Sequence, residues 1–284
     1  MHPAIYMLEK ELLHHKIVTR VPLFLLMFSL LIIGSLVMSS NADVEFSLNG
    51  MGNVDVPNVQ QGFSAVISFA TALVSYLLSI LYLSKAMTKE RQEGSSPFWR
   101  SMPVSDLLTH TVKLGFALLV IPVICSLLVL SAELLLWVLS VFNPHQVNML
   151  IGDITLFSVM QNYISFLSNM LLIAGALLPF ACLMFAVSQM INSPLLCVLI
   201  GLYALKFASS LLLPESGLEQ FFYQFIDLPT SLILTTDPLQ VISQLPVVST
   251  AIMYIVAALF FMFSLSLQKH GELDLRNMFK GGGK

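Results

Sequence analysis

The chain has 284 residues, 57% of them apolar and 10% charged, with a mean hydropathy of +0.86 and a formal net charge of −3. A soluble domain carries roughly 25% charged residues, so this composition excludes a water-facing domain of any size. The net charge itself says nothing about nucleic acid, and none is expected as a partner, because the basic residues serve to orient the chain.

Of the 13 Lys and Arg residues, only Lys206 lies inside an apolar run. The others group as Lys10, Lys16 and Arg20; Lys85, Lys89, Arg91, Arg100 and Lys113; and Lys269, Arg276, Lys280 and Lys284. Basic residues beside membrane spans stay on the cytoplasmic face. An even number of spans must therefore separate each group from the next, with both termini inside.

Residues 1–20 come first. Ile5, Leu8, Leu12 and Leu13 recur near helical spacing, opposite Glu9, Lys10, His14 and Lys16. This predicts an amphipathic helix in the inner interface, with an ordinary charged leader as the alternative. A span needs roughly 20 apolar residues, and the first occupies residues 21–40. Its apolar core is too long for a signal peptide. Residues 41–61 carry Asp43, Glu45 and Asp55 and no basic residue, so they face outside. The second span, 62–84, returns to the basic cytoplasmic segment 85–113. The third, 114–142, leads to an outside segment 143–163 that again lacks Lys and Arg. The fourth, 164–187, reaches a short inside turn before Pro194 opens the fifth, which ends near residue 214. The sixth, 247–267, delivers the tail 268–284 to the cytoplasm.

Residues 215–246 are no ordinary loop. They hold four acids, no basic residue and many apolar side chains, among them Phe221, Phe222, Phe225, Leu232 and Ile242. Asp227-Leu228-Pro229 and Thr236-Asp237-Pro238 carry helix-start signals. Two short helices follow, either dipping into the outer leaflet as a re-entrant hairpin, under cover of protein or water, or lying flat on its surface. The expected fold is thus an all-α membrane protein: one transmembrane domain, 1–284, with six spans, an N-terminal interfacial helix and this hairpin.

Motifs for chemistry are missing. The terminal Gly281-Gly282-Gly283-Lys284 lacks the strand, the hydroxyl residue and the helix of a phosphate-binding loop and reads as a flexible tail. The three cysteines, Cys125, Cys182 and Cys197, sit in apolar runs as small buried hydrophobes. The histidines are scattered and the methionines fit core packing, so no metal site is expected. No Asn-x-Ser/Thr sequon occurs, in keeping with a prokaryotic chain.

The segment between spans two and three holds the most information. Ser84 to Glu93 reads as a charged extension of the second span that Gly94 stops. Phe98 and Trp99 then present bulky apolar surface beside Arg100. They dock a protein partner or anchor the loop at the lipid interface. Ser105 is placed to cap the next helix, with Asp106 in its first turn.

Glu90-Arg91-x-Glu93-Gly94-Ser95 followed by Arg100-Ser101-Met102-Pro103-Val104-Ser105 resembles the Glu-Arg-Glu-x-Gly-Thr … Leu-Pro-Val-Ser pattern of type-2 ABC transporter permeases. The order of elements along the whole chain is similar too. The resemblance implies a permease subunit of an ATP-driven exporter in the cell inner membrane. Such a subunit pairs with a second permease, identical or related, and with two ABC ATPase subunits. ATP and Mg would bind those subunits; no cofactor is expected in this chain, which is not itself an enzyme. It also implies that Glu90, Glu93, Phe98, Trp99, Arg100, Pro103 and Ser105 form or brace the ATPase contact. Phe98-Trp99 departs from the small aliphatic residues of many relatives. The substrate path would lie between permeases, lined by spans two and five and capped by the hairpin, for an amphiphilic or apolar substrate. Two other classes stay open: a mechanical or regulatory subunit coupled to an ATPase without transport, and a membrane-embedded enzyme.

Glu133 and Lys206 are the ionisable residues within spans, Lys206 standing ~18 Å along its helix from Pro194 at ~1.5 Å per residue. Unpaired charges at that depth cost roughly 2.5–3.5 kcal/mol on insertion scales. The two are expected to pair or to share a hydrated pocket beneath the hairpin. The alternative is that Lys206 snorkels outward alone.

The topology has a direct check. Cysteines introduced at Asn53 or Ser216 should react with an impermeant reagent applied to intact cells, whereas those at Ser95 or Gly271 should stay protected. Labelling of Ser95 from outside would overturn the arrangement.

Overall fold

The computed structural model describes residues 3–38, 57–89, 105–142, 154–191, 193–212, 221–235 and 237–269. Every regular element among them is helical. Helix α1 is Pro3–His14, α2 Ile17–Met38 and α3 Pro57–Lys85. Helix α4, Asp106–Gly115, passes through a π-helical turn, Phe116–Val120, into α5, Ile121–Phe142. Then come α6 Leu156–Ser188, α7 Pro194–Leu212, a second π-helical turn Tyr223–Asp227 leading into α8 Leu228–Leu234, α9 Pro238–Ser243 and α10 Val247–Lys269. Among the described residues, five units are long and apolar enough to cross a membrane: α3, the α4–α5 rod, α6, α7 and α10. Helix α2 has 22 residues, and its stretch Ile17–Ser29 forms a shorter apolar helix. This is the pattern of a multi-pass membrane protein.

Several boundaries differ from the sequence expectation, each for a local reason. At the expected charged extension of the second span, α3 stops at Lys85, Ala86–Met87 form a turn and Thr88–Lys89 are helical again; Glu90 to Glu93 lie outside the described residues. At this turn Lys113 Nζ donates to Ala86 O at 2.9 Å and Thr88 Oγ1 to Ser84 O at 3.2 Å. The third rod starts at Asp106, where the Ser105 cap was expected, with Ser105 Oγ accepting from the Leu108 N–H, so that the helix begins ahead of its apolar span. Helix α6 begins at Leu156 behind a reciprocal cap between Thr155 and Ser158, a capping box with Ser in place of the usual Glu or Gln. The start expected at Asp227 is instead a π-helical turn inside a continuous helical run. Pro229 has no N–H and crowds the carbonyl four residues back, and the wider turn absorbs that clash.

Helix α6 is the axis of the bundle. Its apolar window is 67% buried, against 11% for α7 and 17% for α10. Lipid tails are as apolar as Leu, so close contact and hydrogen bonds must hold such helices together. Buried Ala174, Ala176, Ala181 and Ala186 let neighbours approach α6. Tyr254 on α10 donates to Gly175 O at 3.2 Å, where a Cβ on Gly175 would stand 3.9 Å from the hydroxyl. Helix α3 contributes a buried polar stripe, Thr71, Ser75, Ser79 and Tyr82, at helical spacing. Ser79 Oγ donates to Ala117 O at 2.7 Å, inside the first π-helical turn.

The run into α8 also enters the core. Leu228 and Leu232 pack with Ala72, Val129, Phe166, Met170 and Ile173, residues from the middle stretches of α3, α5 and α6. Cys125 and Cys182 are buried as expected, whereas Cys197 is exposed, because α7 turns most of its surface away from the bundle.

Candidate functional site

Polar contacts concentrate where the chain leaves and re-enters the bundle around residues 90–104. On the leaving side, Thr88 Oγ1 lies 3.2 Å from Ser188 O at the end of α6, and Lys89 Nζ donates to His14 O at 3.1 Å. On the returning side, Lys113 has no exposed surface and reaches back to Ala86 O, with Met87 Sδ 3.6 Å away. An ammonium at the carbonyl end of α3 is favoured by that helix's dipole. Together these bonds close the base of the segment.

His110, on the same helix as Lys113, fixes the returning arm to two further helices. Its Nδ1 lies 3.1 Å from Asp106 O, a carbonyl that can only accept, so Nδ1 carries the proton and Nε2 accepts. Ser264 of α10 donates to Nε2 across 3.0 Å, and Gln189 Nε2 donates to Ser264 Oγ at 2.8 Å. His110 and Ser264 have the atoms of a base and a nucleophile. Both are wholly buried between helices, so the pair acts as a tie and not as a reactive couple.

Helix α1 joins this region through the face formed by Leu8, Glu11, Leu12 and His15. Tyr82 of α3 donates to Glu11 Oε2 at 2.9 Å, His15 Nε2 stands 3.6 Å from the same oxygen, and the His15 and Tyr82 rings meet edge-on at 4.8 Å. Ile5, Tyr6 and Leu13 point away from the bundle. The apolar stripe expected for α1 is therefore divided, with Leu8 and Leu12 against the core and the rest free for the interface.

Of the expected site residues, Glu90, Glu93, Phe98, Trp99, Arg100 and Pro103 lie outside the described residues. Ser105 is described, as the cap of α4. Glu133 and Lys206 are not brought together as a pair. Lys206 binds Asp227 at 2.5 Å, in a pair about one third exposed. Glu133 is buried and accepts from Ser64 Oγ at 2.6 Å, and Ser64 in turn accepts from Asn162 Nδ2 at 3.2 Å. The physical reason is the π-helical turn: it presents Asp227 to α7, so the acid read as a helix start serves as the counter-ion. Asp227 has no side-chain capping bond to α8.

Among the described residues no three His, Cys, Asp or Glu side chains are placed to hold a metal ion. Comparisons with protein-family models, with curated proteins and with solved structures find no match.

The Lys206–Asp227 pair can be tested by exchange. Lys206→Ala or Asp227→Ala alone leaves one charge at membrane depth and should destabilise the purified protein by about 1–3 kcal/mol. The reversed pair, Lys206→Asp with Asp227→Lys, should recover part of that loss in thermal unfolding. Identical losses in both singles and no recovery in the double variant would show that the contact contributes nothing.

Proposed function

We propose that this chain is the permease subunit of an ATP-driven exporter of the ABC type. The observation that carries the reading is the closed base of segment 90–104, together with the motif residues that the segment holds. A loop that receives a push from an ATPase must pass displacement into the bundle rather than absorb it. Here the leaving arm is bonded to the end of α6 through Thr88 and Ser188, and the returning arm to α6 and α10 through His110, Gln189 and Ser264. Both arms meet at Lys113 and Ala86.

In this reading α2 is the first of six spans, both termini are cytoplasmic, and residues 215–246 form an outer-leaflet re-entrant hairpin. Two permeases, identical or related, stand in the inner membrane over two ATPase subunits that hold ATP and Mg. Glu90, Glu93, Phe98, Trp99, Arg100 and Pro103 make the contact with the ATPase, and Ser105 braces it by starting α4. Closure of the ATPases moves the segment and, through its ties, α6 and α10. The π-helical turn at Phe116–Val120 is a natural hinge between α4 and α5, since such turns interrupt the regular helical ladder. The substrate is amphiphilic or apolar, because the lining helices offer few charges.

The test is copurification of an ATPase with the tagged chain, followed by Trp99→Ala with Arg100→Glu. An aromatic anchor in a desolvated pocket is worth ~2 kcal/mol or more, so the double variant should lose most partner binding and the linked ATP hydrolysis while staying folded. Full retention of both would leave the loop as a lipid anchor and remove the reading.

A further inference from the structure

Glu133 stands apart from both the loop and the ion pair. It lies at a junction of three helices, with Ser64 from α3 and Asn162 from α6, and only 4% of it is exposed. Its Oε1 accepts the Ser64 hydroxyl, while its Oε2 is buried and has no hydrogen-bond partner among the described residues. Among the described residues no charged side chain acts on the carboxyl there; Ser64 and the Asn162 amide are its polar partners. A carboxylate in this position is left with an uncompensated charge and an unmet oxygen. Adding a proton removes the charge and turns Oε2 into a buried donor, which must then find an acceptor.

One class of ligand meets both demands. A hard monovalent cation on Oε2 neutralises the group and fills the oxygen's open lone pairs. Asn162 donates through Nδ2 to Ser64 Oγ, so its Oδ1 remains as a second neutral oxygen ligand of the kind such cations take. A divalent ion does not fit, because one carboxylate would leave a net positive charge at membrane depth. Ser64 and Asn162 are only partly buried, which gives the cluster an open side. Counting along α3, α5 and α6 places the three residues ~9–14 Å from helix ends on the face that the charge pattern assigns to the outside.

We infer that Glu133, Asn162 and Ser64 form a binding site for a sodium-sized monovalent cation, reached from the outer face. The site needs no ATPase partner, so its test is independent of the exporter reading. The purified full-length chain is unfolded thermally in sodium chloride and in choline chloride at equal ionic strength. Sodium should raise the unfolding temperature of the wild type saturably, by about 2–4 °C. Glu133→Gln, nearly the same shape, should lose the increment, and Asn162→Ala should need about tenfold more sodium for half its effect. If Glu133→Gln does not fold, the wild type against Asn162→Ala still decides. Equal responses to sodium and choline, a sodium increment that survives in Glu133→Gln, an unchanged half-effect in Asn162→Ala, or stabilisation by acid alone would each overturn the site.

Discussion

A buried ammonium is costly unless acceptors surround it, and Lys113 finds its acceptor at the point where α3 stops. Its bond to Ala86 O does two things at once. It holds a carbonyl of the turn that follows α3, and it brings the third turn of α4 against that end. Lys89 and Ser105, the described residues that flank 90–104, are thereby joined to one base. The ties at Thr88, His110 and Lys89 then attach this base to α6, α10 and α1.

The membrane-embedded part follows a complementary rule. Where apolar surface gives no preference between protein and lipid, hydroxyls and small residues decide which helices touch. The polar stripe of α3 faces the bundle, Ser79 donates to a carbonyl of a π-helical turn, and the alanines of α6 admit neighbours from several sides. Helices α7 and α10 leave most of their apolar surface outward. That division explains why Lys206 could sit on α7: Asp227 is held at its side by the run that enters the core at Leu228 and Leu232.

Much of the fold was legible in the sequence, because hydropathy and the basic residues act over whole spans. The helices at 194–212 and 247–269 begin where Pro194 and the end of the acidic segment predict. Boundaries set by side-chain bonds were less accessible. Nothing local to Lys85 announces a stop, and the group that binds the Ala86 carbonyl lies 27 positions beyond Ala86. Ser158 in the cap of α6 departs from the usual residue types, so that helix starts earlier than its apolar run. For the candidate site, Ser105 was readable as a cap. Lys113 counted only as a cytoplasmic charge, and Asp227 only as a helix start. Glu11 carried a signal in its place on the face with Leu8, Leu12 and His15, yet charge alone had assigned its neighbours to the solvent side.

The central claim is that Lys113 holds both arms of one loop. Amide hydrogen exchange on the full-length protein, wild type against Lys113→Met, tests it most directly. The account predicts faster exchange in Lys113→Met at Ala86–Lys89 and along α4 together, with the ends of α6 and α10 following. Faster exchange confined to the turn of α4 around residue 113, with residues 86–89 and the end of α6 unchanged, would contradict it.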